Sequence, residues 1–277
     1  MRARRQLFLA AGFSAALLAS CGPRADSVGT SAEGHESGVL FTTDYQHAAV
    51  VKDAWGHVQI PSVDGEPQPD RITLAPSPTS KEQVLRVELR RGDVQESGGY
   101  AANRAEVYDR HASPGSSTPP EEWPDPVGSV RWYDFTVYIP TDFTTADDDK
   151  WLDLTQWKGY RGGSPPLALE VKRDRLRLGG TEGSASLGRI ADGQWTRLTF
   201  GVHWSADDDG WVEVWRDGER VVERTAGPTM DEVDGEPDPV YLKQGIYRTK
   251  KWEVTHVVYF GPLTIATTRD AAMAGQG

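Results

Sequence analysis

Hydrophobic and polar residues alternate along short stretches of this chain, and no long stretch after residue 22 has helical periodicity. Clusters of Gly, Pro, Asp and Asn separate these stretches, a pattern typical of β-strands joined by turns. The predicted strands are Val84–Leu89, Ala102–Tyr108, Val130–Ile139, Trp151–Trp157, Leu167–Lys172, Trp195–Trp204, Trp211–Trp215, Tyr241–Tyr247 and Thr255–Ile265. The pattern therefore predicts an all-β domain built as a sandwich of antiparallel strands.

One connection between strands is identifiable from its turn residues. Asp217-Gly218 separates Val212–Trp215 from Arg220–Val222. Asp-Gly between two hydrophobic runs is typical of a two-residue β-hairpin turn, because both residues tolerate a positive φ. No repeat of fixed period and no linker divides the sequence after residue 38, so residues 39–277 are predicted to form one domain.

The N-terminus has the features of an export signal. Arg2, Arg4 and Arg5 precede the apolar stretch Leu7–Leu18, which is too short to span a bilayer as a stable helix. Small residues follow and lead directly to Cys21, the only cysteine of the chain. This arrangement resembles a lipobox, in which the cysteine becomes the lipidated first residue of the mature protein. The alternative is an ordinary signal peptide with an incidental cysteine, and the arginines fit either Sec or Tat export.

These features predict that the protein lies outside the cytoplasm. It is expected to be anchored through Cys21 to the outer face of the cell membrane, or to be secreted. Residues 22–38 are rich in Gly, Ser, Ala and acidic residues, which predicts a flexible tether. With Cys21 lipidated no thiol remains for a disulfide, so the domain must be stable through its core alone.

Charge narrows the range of partners. The chain has 30 basic and 41 acidic side chains, and removal of the signal peptide leaves 27 against 41, a net charge of about −14. Such a surface repels polyanions, which argues against binding of nucleic acid. A polyanionic substrate would therefore require a local basic cleft. The domain is expected to be a monomer.

Alternation along Tyr241–Tyr247 separates a polar face from an apolar one. The polar face carries Tyr241, Lys243, Gly245 and Tyr247. Leu242 and Ile246 point the other way, towards the predicted core. A polar face with a glycine at its centre is a poor core surface, but it suits a groove in which a sugar ring approaches the backbone.

Two other predicted strands carry polar side chains in the same alternating manner. Arg104, Glu106 and Tyr108 share one face of the first strand. Gln156 and Lys158 share one face of the second. Three strands that each offer a polar face are what the concave side of a curved sheet would present.

These segments, in chain order, are Arg-Ala-Glu-Val-Tyr (104–108), Gln-Trp-Lys (156–158) and Tyr-Leu-Lys-Gln-Gly-Ile-Tyr-Arg (241–248). They resemble the strand motifs RTELR, QIH and YFKAGVYNQ of the jelly-roll alginate lyases. The sequence is also similar, over Gln83 to Ile265, to bacterial polysaccharide lyases related to heparin lyase I and glucuronan lyase. The resemblance implies a concanavalin A-like β-jelly-roll of two antiparallel sheets with a concave groove for an acidic polysaccharide.

The resemblance further implies cleavage at a 4-linked uronic acid by β-elimination. Removal of the C5 proton requires neutralisation of the neighbouring carboxylate, and the O4 leaving group requires a proton. By this resemblance Tyr247 is the acid/base, and Arg104 and Gln156 bind the carboxylate. Lys243 is expected to be the cation that lowers the tyrosine pKa from about 10. Glu106 is expected to orient Arg104.

The sequence departs from the family pattern at two positions. Lys158 stands where the pattern has a histidine, and a lysine is a poor base unless it is strongly desolvated. Tyr108 replaces the second arginine of the first motif. An elimination that uses Tyr247 alone as acid and base remains open. The residues expected to contact substrate, beyond the catalytic set, are Lys158, Glu106, Tyr241, Arg248 and His203, although His203 also fits the commoner role of a structural histidine.

Two other functions remain open. One is a non-catalytic carbohydrate-binding lipoprotein of the laminin-G-like type, and the other is a glycoside hydrolase, although the alternating carboxylate strand motif of such enzymes is absent. No cofactor is required by the sequence. A structural calcium ion is left open, because some relatives use one, but Asp147–Asp149 and Asp207–Asp209 do not fit the EF-hand pattern.

Overall fold

The structure is a computed structural model that describes residues 38–97, 100–108, 125–145, 150–161, 163–180 and 185–275. The predicted signal peptide, the lipidation site Cys21 and residues 22–37 of the predicted tether lie outside the described residues, as do Asp147–Asp149. Within the described ranges, no helix is long and apolar enough to cross a membrane.

Strands account for most of the regular structure. They are β1 (Val39–Thr42), β2 (His57–Gln59), β3 (Ser62–Val63), β4 (Glu66–Pro67), β5 (Ile72–Pro76), β6 (Gln83–Leu89), β7 (Gln95–Ser97), β8 (Tyr100–Tyr108), β9 (Val130–Tyr138), β10 (Leu152–Gly159), β11 (Leu167–Lys172), β12 (Arg175–Gly179), β13 (Ala185–Arg189), β14 (Trp195–His203), β15 (Trp211–Arg216), β16 (Glu219–Ala226), β17 (Glu232–Val233), β18 (Glu236–Pro237), β19 (Val240–Arg248) and β20 (His256–Ala266). Two short helices, α1 (Val51–Ala54) and α2 (Arg269–Ala274), and a 3₁₀ turn at Pro69–Arg71 accompany them.

Two eight-stranded sheets form the body of the fold. The back sheet has the order β16-β15-β14-β9-β20-β6-β5, with β1 paired to β20. The front sheet has the order β13-β12-β11-β10-β19-β8-β2, with β7 paired to β8. Neighbouring strands are antiparallel throughout both sheets. The prediction of an all-β jelly-roll sandwich is confirmed, and all nine predicted strands are present within one or two residues of their predicted bounds.

Large apolar side chains from both sheets fill the space between them. Trp157 of the front sheet is fully buried, and its ring lies 4.8 Å from Phe200 and 5.2 Å from Tyr133 of the back sheet. Leu242 and Ile246 of β19 are fully buried in the same core. Because side chains alternate along a strand, this packing directs Gln156, Lys158 and the odd-numbered residues of β19 to the outer face of the front sheet.

Gly245 is required by the sheet itself. Its φ is +147°, and a Cβ atom there would lie 2.1 Å from the carbonyl oxygen of Ala105 on the adjacent strand. The pairing of β10 with β19 shifts register at this point, between Asp153 and Thr155. The glycine that the sequence suggested as a place for a sugar to approach the backbone therefore also has a purely structural reason, because two strands approach too closely for any side chain.

Replacement of this glycine should destabilise the fold. Gly245→Ala combines backbone strain with a collision against the neighbouring strand, so we expect a loss of roughly 3 kcal/mol in the free energy of unfolding, measured by denaturant titration. Gly65→Ala is the matched control, because Gly65 also has a positive φ (+85°) but open space around it. The control should lose only about 1 kcal/mol, and equal losses in the two variants would contradict this explanation.

Candidate active site

The three polar segments of the sequence meet on the outer face of the front sheet, because β8, β19 and β10 are adjacent there. Lys243 of β19 lies opposite Tyr108 on one side and Gln156 on the other. Four residues further along β19, Tyr247 lies opposite Arg104. Strand register thus brings together residues that are far apart in the sequence.

A buried carboxylate connects these side chains. Glu106 is 2% exposed and accepts a hydrogen bond of 2.8 Å from Gln156 Nε2 through Oε1. Its Oε2 lies 2.5 Å from Lys243 Nζ and 3.0 Å from Arg104 Nε. A charge removed from water is tolerated only when it is paired and hydrogen-bonded. Glu106 therefore fixes one residue on each of β8, β19 and β10.

Lys243 and Lys158 both have lowered pKa values. Burial lowers the pKa of Lys243 to about 8, against the opposing effect of Glu106. Lys158, which is half-buried opposite Tyr241, also has a lowered pKa, chiefly because of burial, and its ammonium donates a hydrogen bond to the carbonyl of Gly163. Lys158 is the more accessible of the two cations.

Tyr247 is partly exposed beside a cation and an indole. The guanidinium of Arg104 lies over its ring, 4.2 Å from the centroid, and the ring of Trp151 lies 4.5 Å away. Arg104 Nη1 also lies 3.4 Å from Gln95 Oε1. The sequence suggested Lys243 as the cation beside Tyr247. In the structure Lys243 contacts Glu106 instead, and Arg104 is the cation on the tyrosine ring.

Aromatic rings occupy the other end of the cluster. Tyr241, which is 6% exposed, packs edge-to-face against Tyr108 at 5.8 Å between centroids. Tyr108 in turn stacks on His57 of β2 at 4.8 Å, with the ring planes 8° apart. His57 was missed by the sequence reasoning because β2 has three residues and gives no alternation. Burial lowers the pKa of His57, and Lys52 lowers it further.

Two carboxyl groups on this face were also overlooked. Asp153 of β10 lies opposite Tyr247, and Glu170 of β11 lies opposite Asp153. Simple alternation from Gln156 and Lys158 would direct Asp153 into the core, but the register shift between residues 153 and 155 reverses its direction.

Two expected substrate contacts lie away from the cluster. Arg248 is fully buried, and its guanidinium donates hydrogen bonds to the carbonyls of Val254 (2.8 Å) and Arg90 (3.1 Å). An even-numbered residue of β19 points inward, so Arg248 is not on the outer face. His203 lies on β14 of the back sheet, with Nδ1 2.9 Å from the carbonyl oxygen of Asp209. Arg248 therefore points to the opposite side of the front sheet from Tyr247, and His203 belongs to the other sheet.

No cluster of three or more His, Cys, Asp or Glu side chains suited to a metal ion occurs in the described part of the chain. In the segment Asp207–Asp209, the carboxylate of Asp209 accepts a hydrogen bond of 2.6 Å from the Ser205 hydroxyl.

The outer face of the front sheet combines two partly exposed cations, Arg104 and Lys158, with the partly exposed Tyr247. The buried carboxylate of Glu106 holds Arg104 in place. This is an arrangement suited to binding an acidic group and transferring a proton beside it.

The comparison with known proteins gives a family. Residues 41–263 match the family described as polysaccharide lyase. Among curated proteins, no sequence matches this chain.

Solved structures share the fold at low sequence identity. The endo-β-1,4-glucuronan lyase of the fungus Trichoderma reesei has a TM-score of 0.58 and 14% identity, with 84% of this chain and 98% of that one covered. An alginate lyase has a TM-score of 0.54 and 14% identity, with 83% and 97% covered. The catalytic domain of a glycoside hydrolase family 131 protein from Coprinopsis cinerea has a TM-score of 0.52 and 12% identity, with 83% and 95% covered. At such identities the likeness shows the fold alone.

Removal of the central carboxylate should destabilise the domain. Glu106→Gln leaves Lys243 buried without a counter-charge, so we expect a loss of about 3 kcal/mol or more in the free energy of unfolding. Glu106→Gln combined with Lys243→Met removes both charges and should recover most of that loss. Denaturant titration of the two variants and the wild type measures the difference. A double variant as unstable as Glu106→Gln would show that the charge pairing is not what Glu106 contributes.

Proposed function

We propose, since the chain belongs to the polysaccharide lyase family, that it cleaves a polysaccharide at a 4-linked uronic acid by β-elimination with Tyr247 as acid and base. The observation that carries this proposal is the placement of the Arg104 guanidinium over the ring of Tyr247, with both side chains partly open to solvent. A group that binds a carboxylate and a group that moves a proton are thereby within reach of one sugar unit.

The uronate carboxylate must be neutralised before its C5 proton becomes acidic enough to leave. Arg104 offers a planar guanidinium that matches a carboxylate, and Lys158 adds a second positive charge from the neighbouring part of the face. Gln156 donates one of its two amide hydrogens to Glu106, so its part is to support Glu106 and through it Arg104. The positive charges of Arg104 and Lys158 together stabilise the enolate-like state.

Proton transfer then falls to Tyr247. As the phenolate it takes the C5 proton, the C4–O4 bond breaks as the C4=C5 double bond forms, and the phenol returns the proton to O4. The positive charge of Arg104 at the ring stabilises the phenolate electrostatically. This route uses one residue on one side of the sugar, and it does not require the histidine that Lys158 replaces.

Lys243 acts on this reaction through Glu106. Its ammonium and the Gln156 amide balance most of the carboxylate charge. Arg104, which contacts Glu106 through Nε, can therefore turn the rest of its guanidinium to Tyr247 and the substrate. We further propose that the enzyme works outside the cytoplasm, held at the membrane through a lipid on Cys21, where polymeric uronates are accessible.

The single substitution Tyr247→Phe tests the proposed chemistry. With glucuronan, heparin, hyaluronan and alginate as substrates, elimination creates an unsaturated uronate that absorbs in the far ultraviolet. We expect the wild type to increase that absorbance with at least one polymer. Tyr247→Phe should lower the rate by at least about 10³-fold, because the proton carrier is lost.

The variant should unfold at nearly the same denaturant concentration as the wild type, because Tyr247 is only partly buried and the substitution keeps its ring. Full activity in Tyr247→Phe would remove Tyr247 from its role. A wild type that is inactive on all four polymers but binds one of them would favour the non-catalytic carbohydrate-binding function.

The lowered pKa of Lys243 predicts the alkaline limit of activity. Above about pH 8 Lys243 loses its proton, so Glu106 loses one of its two cationic partners and binds the other, Arg104, more strongly at the expense of the substrate carboxylate. We expect kcat/KM to fall by up to about tenfold per pH unit above that point. Lys243→Arg should move the fall to higher pH, because a guanidinium stays charged. An unchanged alkaline limit in Lys243→Arg would contradict this role.

The free energy of unfolding should rise over the pH range in which activity falls. The unfolded chain holds the lysine proton up to about pH 10.4, while the folded chain releases it near pH 8. Between those values the cost of burying a charged Lys243 therefore decreases as the pH rises. Loss of activity there would therefore not result from unfolding driven by Lys243, and denaturant titrations at pH 8 and 9.5 separate the two effects.

A further inference from the structure

One row of side chains crosses the outer face of the front sheet at the level of Tyr247. Strand register aligns the row in the order Arg104, Tyr247, Asp153, Glu170 and Arg177, on β8, β19, β10, β11 and β12. The row is therefore basic at its two ends and acidic between them. The proposed elimination uses only its first two members.

The two acidic members are unusual for their lack of partners. Asp153 is 8% exposed, yet within the described residues neither Asp153 nor Glu170 forms a hydrogen bond or an ion pair through its carboxyl group. Asp134, which is fully buried, is by contrast held by the guanidinium of Arg197 at 2.9 Å. A buried carboxyl without a partner is costly in a structural position, which points to a ligand as the missing partner.

The Glu170 carboxylate leans over Gly179 of the adjacent strand. A Cβ atom on Gly179 would lie 2.0 Å from Glu170 Oε1, so the glycine makes room for the carboxylate on the face. Burial raises the pKa of Asp153 well above its ordinary value, and the charges of Glu170 and Glu106 raise it further. Side by side, the two groups offer one O–H donor and several acceptor oxygens.

This set of donors and acceptors suits the hydroxyl groups of a sugar and opposes a second carboxylate. A calcium ion is a poorer occupant, because it requires six to eight oxygen ligands and no third carboxylate completes such a cluster among the described residues. Adjacent strands are about 4.8 Å apart. A polymer that lies across the strands would therefore place the unit next to the reacting uronate over Asp153 and Glu170.

We propose that Asp153 and Glu170 form a subsite for an uncharged sugar unit, adjacent to the uronate held at Arg104 and Tyr247. This inference rests on the proposed function and specifies its substrate class. The substrate is then a polymer in which 4-linked uronates alternate with neutral sugars, and a polymer of uronates alone is disfavoured because it would place a carboxylate against Glu170.

Binding measurements on the full chain with Tyr247→Phe, which prevents turnover, test the subsite. The probes are glucuronan oligosaccharides of one length and the same oligosaccharides with part of their carboxyl groups chemically reduced to alcohols. We expect the partly reduced probe to bind about fivefold more tightly by isothermal titration calorimetry, because one like-charge contact is relieved.

A second substitution assigns the discrimination to these residues. Glu170→Gln in the Tyr247→Phe background should tighten glucuronan binding and bring the ratio of the two dissociation constants close to one. Glu219→Gln, an exposed position on β16 of the back sheet, removes the same charge elsewhere and should leave the ratio at about fivefold.

Equal binding of the two probes, no binding of either probe, or a ratio that Glu170→Gln leaves unchanged would each overturn the subsite. The proposed elimination is judged separately, by the absorbance increase of the wild type. A wild type that shows no absorbance increase with any polymer refutes the elimination, and the binding ratio still decides the subsite.

Discussion

The arrangement of the outer face depends on one buried negative charge, the carboxylate of Glu106. Because the charge is almost completely removed from water, Lys243, Gln156 and Arg104 must stay at its side. Arg104 lies on β8, Lys243 on β19 and Gln156 on β10, so the carboxylate also fixes the register of these three strands. A slip of one residue would turn a charged side chain into the core. Register and chemistry are therefore determined by the same contacts.

Much of this fold could be predicted from the sequence because its central strands alternate clearly. Leu242 and Ile246 identify the inner side of β19, and Trp157 does the same for β10. The edge elements could not be predicted in this way. β2 and β13 have three and five residues, and β13 buries only Leu187 completely. Strands this short form because they pair with a neighbouring strand, such as β8 beside β2, and that pairing cannot be read from their own few residues.

The sequence predicted which side chains of the candidate site share one face of the sheet, but not which of them contact each other. Strand alternation grouped Arg104, Lys243 and Tyr247, yet the choice of cation on the tyrosine ring depends on side-chain reach across two strands. Arg248 has the right residue type for binding an acidic sugar, but its even position sends it inward. Asp153 was hidden for the opposite reason, since a shift of one residue in the pairing of β10 reverses the side to which it points.

The order of strands also determines when folding can occur. The two strands nearest the C-terminus, β19 and β20, occupy central positions in the front and back sheets, and β1 pairs with β20. During synthesis neither sheet can be completed before the C-terminal part of the chain has left the ribosome, because the central strands β19 and β20 are made last. Such non-local pairing makes folding slow. A chain interrupted before Val240 would expose unpaired strand edges on both sheets and would be prone to aggregate rather than to form a smaller domain.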